Sequence, residues 1–167
     1  DYVNEGLVSG STAVQVNDVL GQLVFNNQGR FEGEQLGLGV NSVGTDIFVS
    51  NSGLISGTSG VELIGGVNFD PTVNHLIGHV LSGEFADEGL SLQALQDRGF
   101  FNGVFVGFFN EDGGVVTSQE GSAVSIQADY NLAGLLSDTN PDGVAAFLNG
   151  SFPPLIVVAE NRLGGLI

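Results

Sequence analysis

The chain has no cysteine, which rules out disulfides, thiolate metal sites and a cysteine nucleophile. Export stays compatible with that, because a domain of 167 residues needs no covalent staples. There is no lysine either, and the basic residues are Arg30, Arg98 and Arg162 alone. Against them stand 19 Asp and Glu, for a net charge of −16. That balance repels nucleic acid and anionic membranes. It suits a salty or calcium-rich medium, where cations screen the repulsion. Tryptophan is absent and tyrosine occurs only at Tyr2 and Tyr130, which leaves little for a sugar-stacking platform. The longest unbroken apolar run, LIVVA at 155–159, is far short of the roughly 20 residues a membrane helix needs. No signal-peptide pattern stands at the start, and a first residue other than Met fits a trimmed exported chain.

Charged residues make up 13% of the chain, against roughly a quarter in typical domains, and 27 residues are glycine. Low charge, many glycines and many β-branched residues point to all-β structure with tight turns. The most telling stretch is 99–109, GFFNGVFVGFF. At period two one side carries Phe101, Gly103, Phe105, Gly107 and Phe109. The other side carries Phe100, Asn102, Val104, Val106 and Phe108. Both sides are mostly apolar, which predicts a central strand covered on two faces, with glycines leaving room for neighbouring rings.

Turn signals punctuate the rest. NNQG at 26–29 reads as a hairpin turn between strands at 20–25 and 30–40. Asn51-Ser52-Gly53, GTSG at 57–60 and NEDGG at 110–114 read as further turns. Segments 61–69 and 73–85 read as a strand pair joined at Asp70-Pro71-Thr72. The spacing of Leu90, Leu92 and Leu95 predicts a short amphipathic helix within 87–98, and Asn140-Pro141 starts a second one over 141–149. The expected fold is a single domain over 1–167, an antiparallel β-sandwich or β-barrel of about ten strands with one or two short helices.

Three segments, 67–83 (VNFDPTVNHLIGHVLSG), 100–114 (FFNGVFVGFFNEDGG) and 126–138 (IQADYNLAGLLSD), resemble the Gly-rich hairpins of transferrin-binding-protein-like barrels of bacterial surfaces. The resemblance covers under half the chain and implies a surface-exposed β-barrel with a ligand or haem role.

Few residues suggest chemistry. His75 and His79 are the only histidines; on a helix their spacing would let them share a metal ion, but the flanking residues favour a strand, where they stand about 13 Å apart. Asp138, Asn140 and Asp142, followed by Gly143, match the first half of a calcium loop, although the twelfth position is Asn149 rather than Glu. A helix cap is the competing reading of those residues. No GxSxG elbow, phosphate loop or dinucleotide fingerprint occurs, so the chain reads as non-catalytic.

Two functions remain. The first is a secreted or cell-surface β protein acting by association: a self-assembling fibre, matrix or surface-layer subunit, or an adhesive module, supported by calcium. The terminal segments 1–10 and 153–167 would make the intersubunit contacts, adding strands to a neighbour's sheet edge. The second is a small ligand- or haem-binding barrel, with Phe101 and Phe105 lining the pocket and Tyr130, His75 and His79 as candidate ligands.

Overall fold

Runs of β-branched and aromatic residues make the strands, and the corners between them decide how the strands are joined. Residues 1–19, 22–42, 44–68, 104–131 and 155–167 are described in the computed structural model. They hold eleven strands: β1 (Tyr2–Asn4), β2 (Leu7–Asn17), β3 (Gln22–Asn27), β4 (Arg30–Asn41), β5 (Asp46–Asn51), β6 (Leu54–Gly57), β7 (Ser59–Asn68), β8 (Val104–Asn110), β9 (Val115–Ser118), β10 (Val124–Asn131) and β11 (Leu155–Asn161).

Every strand pairing among the described residues is parallel. The expected antiparallel sandwich or barrel is therefore overturned. The chain winds as a parallel β-solenoid, each coil stacking on the one before. Face A stacks β1, β3, β5, β8 and β11 in that order. Face B stacks residues 7–10, 30–32, β6 and β9. Face C stacks residues 12–17, 36–41, β7 and β10. In the first two coils faces B and C belong to one strand with an irregularity between them. A Cβ at Gly33 would lie 1.9 Å from the Leu36 carbonyl oxygen, so only glycine fits that kink.

Three of the predicted turns, NNQG, Asn51-Ser52-Gly53 and NEDGG, are corners that do not reverse the chain onto itself; GTSG is strand on either side of Thr58, and Asp70-Pro71-Thr72 lies outside the described residues. NNQG carries it from β3 on face A to β4 on face B, and these two strands do not pair. Asn51-Ser52-Gly53 and NEDGG do the same one and two coils on. Likewise β7 pairs with β4 and β10, both in parallel. No described residue is helical. Both predicted helices and the segment 73–85 lie outside the described residues.

The interior is filled by like residues in register. On face A, Leu23, Ile47 and Val106 form one column and Phe25, Val49 and Phe108 another. Face B contributes Phe31, Ile55 and Val116, and face C contributes Leu38, Val40, Val61 and Leu63. All of these are buried. In β8 the alternation holds as expected: Val104, Val106 and Phe108 point inward, and Phe105, Gly107 and Phe109 take the other side, with β5 and β11 as flanking strands.

Candidate functional site

The corner from face A to face B repeats as Asn-x-Gly in the first three coils: Asn4-Glu5-Gly6, Asn27-Gln28-Gly29 and Asn51-Ser52-Gly53. In the last two it lengthens by two residues, Asn110 to Gly114 and Asn161 to Gly165. The asparagines stack into a ladder. Asn4 Nδ2 donates to Asn27 Oδ1 at 2.8 Å, Asn27 to Asn51 at 2.7 Å, Asn51 to Asn110 at 2.8 Å and Asn110 to Asn161 at 2.9 Å. The second amide hydrogen serves the corner backbone, as from Asn51 to the Gly53 carbonyl at 3.2 Å. Asn27, Asn51 and Asn110 are fully buried, so these bonds meet the need of a polar group taken out of water. The ladder sets each corner asparagine directly on the one below, whether the corner has three residues or five. A Cβ at Gly53 would lie 2.0 Å from the Gly29 carbonyl oxygen, which is why the corner residue is glycine.

Outside face A the residues of β5 and β8 form an aromatic stack. Phe48 and Phe105 are stacked at 4.5 Å, and Phe105 and Phe109 at 6.2 Å, with planes 16° and 7° apart. The rings close over Gly107, where a Cβ would strike Phe105 at 2.3 Å. The Arg162 guanidinium covers the end of the stack, 5.1 Å from the Phe109 ring centre. Arg162 Nη1 also donates to both carboxylate oxygens of Glu111 at 2.8 Å, and Glu160 lies at 3.6 Å. The hydrogen bond to Glu111 chiefly holds Arg162 in its charged form, raising its pKa above the usual value. In this way the corner of the last described coil is tied to the coil beneath it.

The third feature is the pair of open ends. Nine large apolar side chains are exposed among the described residues, and all but Ile64 lie at the ends. Tyr2, Val3 and Leu7 lie on the first coil; Ile156, Val157, Leu163, Leu166 and Ile167 lie on the last. There β1, β2 and β11 each have one edge with no partner strand among the described residues.

Of the site residues expected from sequence, Phe105 is in the outer stack. Tyr130 is in β10, in register with Val67 of β7. Phe101, His75, His79, Asp138, Asn140 and Asp142 lie outside the described residues. No cluster of three or more His, Asp or Glu able to hold a metal occurs among the described residues. No helix long and apolar enough to cross a membrane occurs among the described residues.

The ladder asparagines were not singled out from the sequence. The available signal was the recurrence of Asn-x-Gly behind an apolar strand, with ladder steps of 23 and 24 residues. The steps then lengthen to 59 and 51, which hides the period. The chain matches no protein-family model, no curated protein and no solved structure. None of these comparisons bears on the resemblance to transferrin-binding-protein-like barrels.

Proposed function

We propose that the protein is a non-catalytic rod that acts by association, taking up further β structure at the open edges of its end coils. The single observation that carries this reading is that those edges have no partner strand among the described residues. Soluble β proteins guard an exposed edge with charges, proline or bulges that turn it away. Here β2 has no charged residue and no proline in its eleven positions, its one irregularity, between Gly10 and Thr12, being the corner between faces B and C, and β11 has only Glu160. The apolar side chains that the edges leave exposed supply a driving force on top of the backbone bonds. The acidic, cysteine-free composition supports an extracellular or cell-surface setting, where the rod would serve as fibre, matrix or adhesive material.

Size-exclusion chromatography with light scattering tests the reading, run across concentration and both with calcium and with chelator. Particles larger than a monomer are expected. Leu7→Lys and Ile156→Lys place a charge at each open edge on exposed side chains of the outward rows, and either is expected to raise the concentration needed for association about tenfold, equivalent to about 1.4 kcal/mol. A monomer at every concentration, with and without calcium, overturns the proposal.

A further inference from the structure

The first and last described coils of the solenoid differ chemically, and the difference makes them complementary. We infer that a second copy of this chain docks head to tail, its β1 adding in parallel to β11 with Asn4 above Asn161; this rests on the association proposed above and specifies the partner and the register.

The ladder has a direction. Each asparagine below Asn161 spends one amide hydrogen on its own corner backbone or the coil above and the other on the Oδ1 of the next asparagine. Asn161 Nδ2 makes its corner bond to the Gly165 carbonyl at 3.1 Å, and no ladder acceptor stands above it among the described residues. At the other end Asn4 Oδ1 accepts, among the described residues, from the Gly6 amide alone, at 3.2 Å. One end offers a donor and the other an acceptor with spare capacity. Two ends of the same kind would bring donor to donor or acceptor to acceptor.

Charge follows the same register. The residue after each ladder asparagine forms a column of Glu5, Gln28, Ser52, Glu111 and Arg162. Arg162 is already paired with Glu111 below it. Docking in this register brings Glu5 of the second copy above Arg162, so that the guanidinium lies between two carboxylates. Arg162 is the only cation within the last coil, in a chain of net charge −16, and it stands where the incoming acid arrives.

The apolar surfaces also match. Leu166 pairs with Val115, which places it at the top of the outward row Leu7, Arg30, Leu54 and Val115. Continuing that row puts Leu7 of the second copy on Leu166, residues that are 60% and 65% exposed. The Tyr2 ring then falls over the small Ala159 side chain, and Val3 falls over Glu160. On face C the topmost described strand, β10, is one coil lower than β11, so residues 12–17 of the second copy sit two strand spacings above it, roughly 10 Å. Faces A and B carry the contact.

Because the chain has no cysteine, single cysteines report the register directly. Val3→Cys and Glu160→Cys variants are mixed under mild oxidation. The proposed pairing sets their Cα atoms one strand spacing apart, within disulfide reach. The mixture is expected to give a disulfide-linked pair about tenfold faster than Val3→Cys mixed with Ile156→Cys, a position about 13 Å further along the strand. Val3→Cys alone is expected to give little linked dimer. If light scattering shows association but Val3→Cys links to itself or to Ile156→Cys as fast as to Glu160→Cys, the register is wrong while association stands. If the unmodified protein is monomeric throughout, both proposals fail together.

Discussion

Asn51 is the residue on which the ladder can be tested most sharply. It accepts from Asn27, donates to Asn110 and Gly53, and is fully buried. Asn51→Ala leaves the Asn110 oxygen without its ladder donor and weakens the satisfaction of Asn27. A loss of about 2–3 kcal/mol is expected in denaturant unfolding. Asn51→Asp should cost more, because it removes the donor and buries a charge. Glycines at equivalent corner positions are expected to diverge. Gly53→Ala drives a Cβ against a backbone oxygen and should cost about 2–3 kcal/mol. Gly6→Ala meets nothing within 4 Å and should be neutral or raise stability by up to about 1 kcal/mol, as thermal melts would show. At this scale the sequence was half legible. Asn-x-Gly announces a turn, but a buried side-chain ladder depends on what the next coil places above it, and no local pattern encodes that.

Strand β8 shows how far an element can be read. Its alternation assigns Val104, Val106 and Phe108 to one side and Phe105 and Phe109 to the other, and the structure separates them in that way. The consequence is measurable: Phe108→Ala should cost about 3–5 kcal/mol as a core truncation. Phe105→Ala removes one ring of an outer stack and should cost about 1 kcal/mol. Equal losses in unfolding experiments would contradict the separation. Strand direction was not legible, because parallel and antiparallel strands share the same period of two. Turn residues favour a hairpin by default, and here the corner at Asn27 to Gly29 sends the chain to a different face. The long stretches between β7 and β8, and between β10 and β11, then disguise the recurrence that would have revealed the coils.

For the molecule as a whole, the acidic composition and the unprotected edges pull in opposite directions. A net charge of −16 on each copy opposes contact, and salt screens it over a distance that shrinks from roughly 30 Å at 0.01 M to 3 Å at 1 M. Association should therefore strengthen as ionic strength rises, with light scattering showing larger particles in high salt. Weaker association in high salt would mean that ion pairs such as those expected around Arg162 outweigh the general repulsion. All-β character and acidity were plain from composition; the coiled architecture became visible only once residues far apart in sequence were seen stacked.

Because each ladder step stacks one corner asparagine on the next, height and girth are independent quantities in this protein. Every extra unit of 23 or 24 residues, the spacing of the first steps, would add about 4.8 Å along the axis and leave the cross-section unchanged. A gene encoding such a chain can be lengthened or shortened by whole units, as a ruler is cut at its marks.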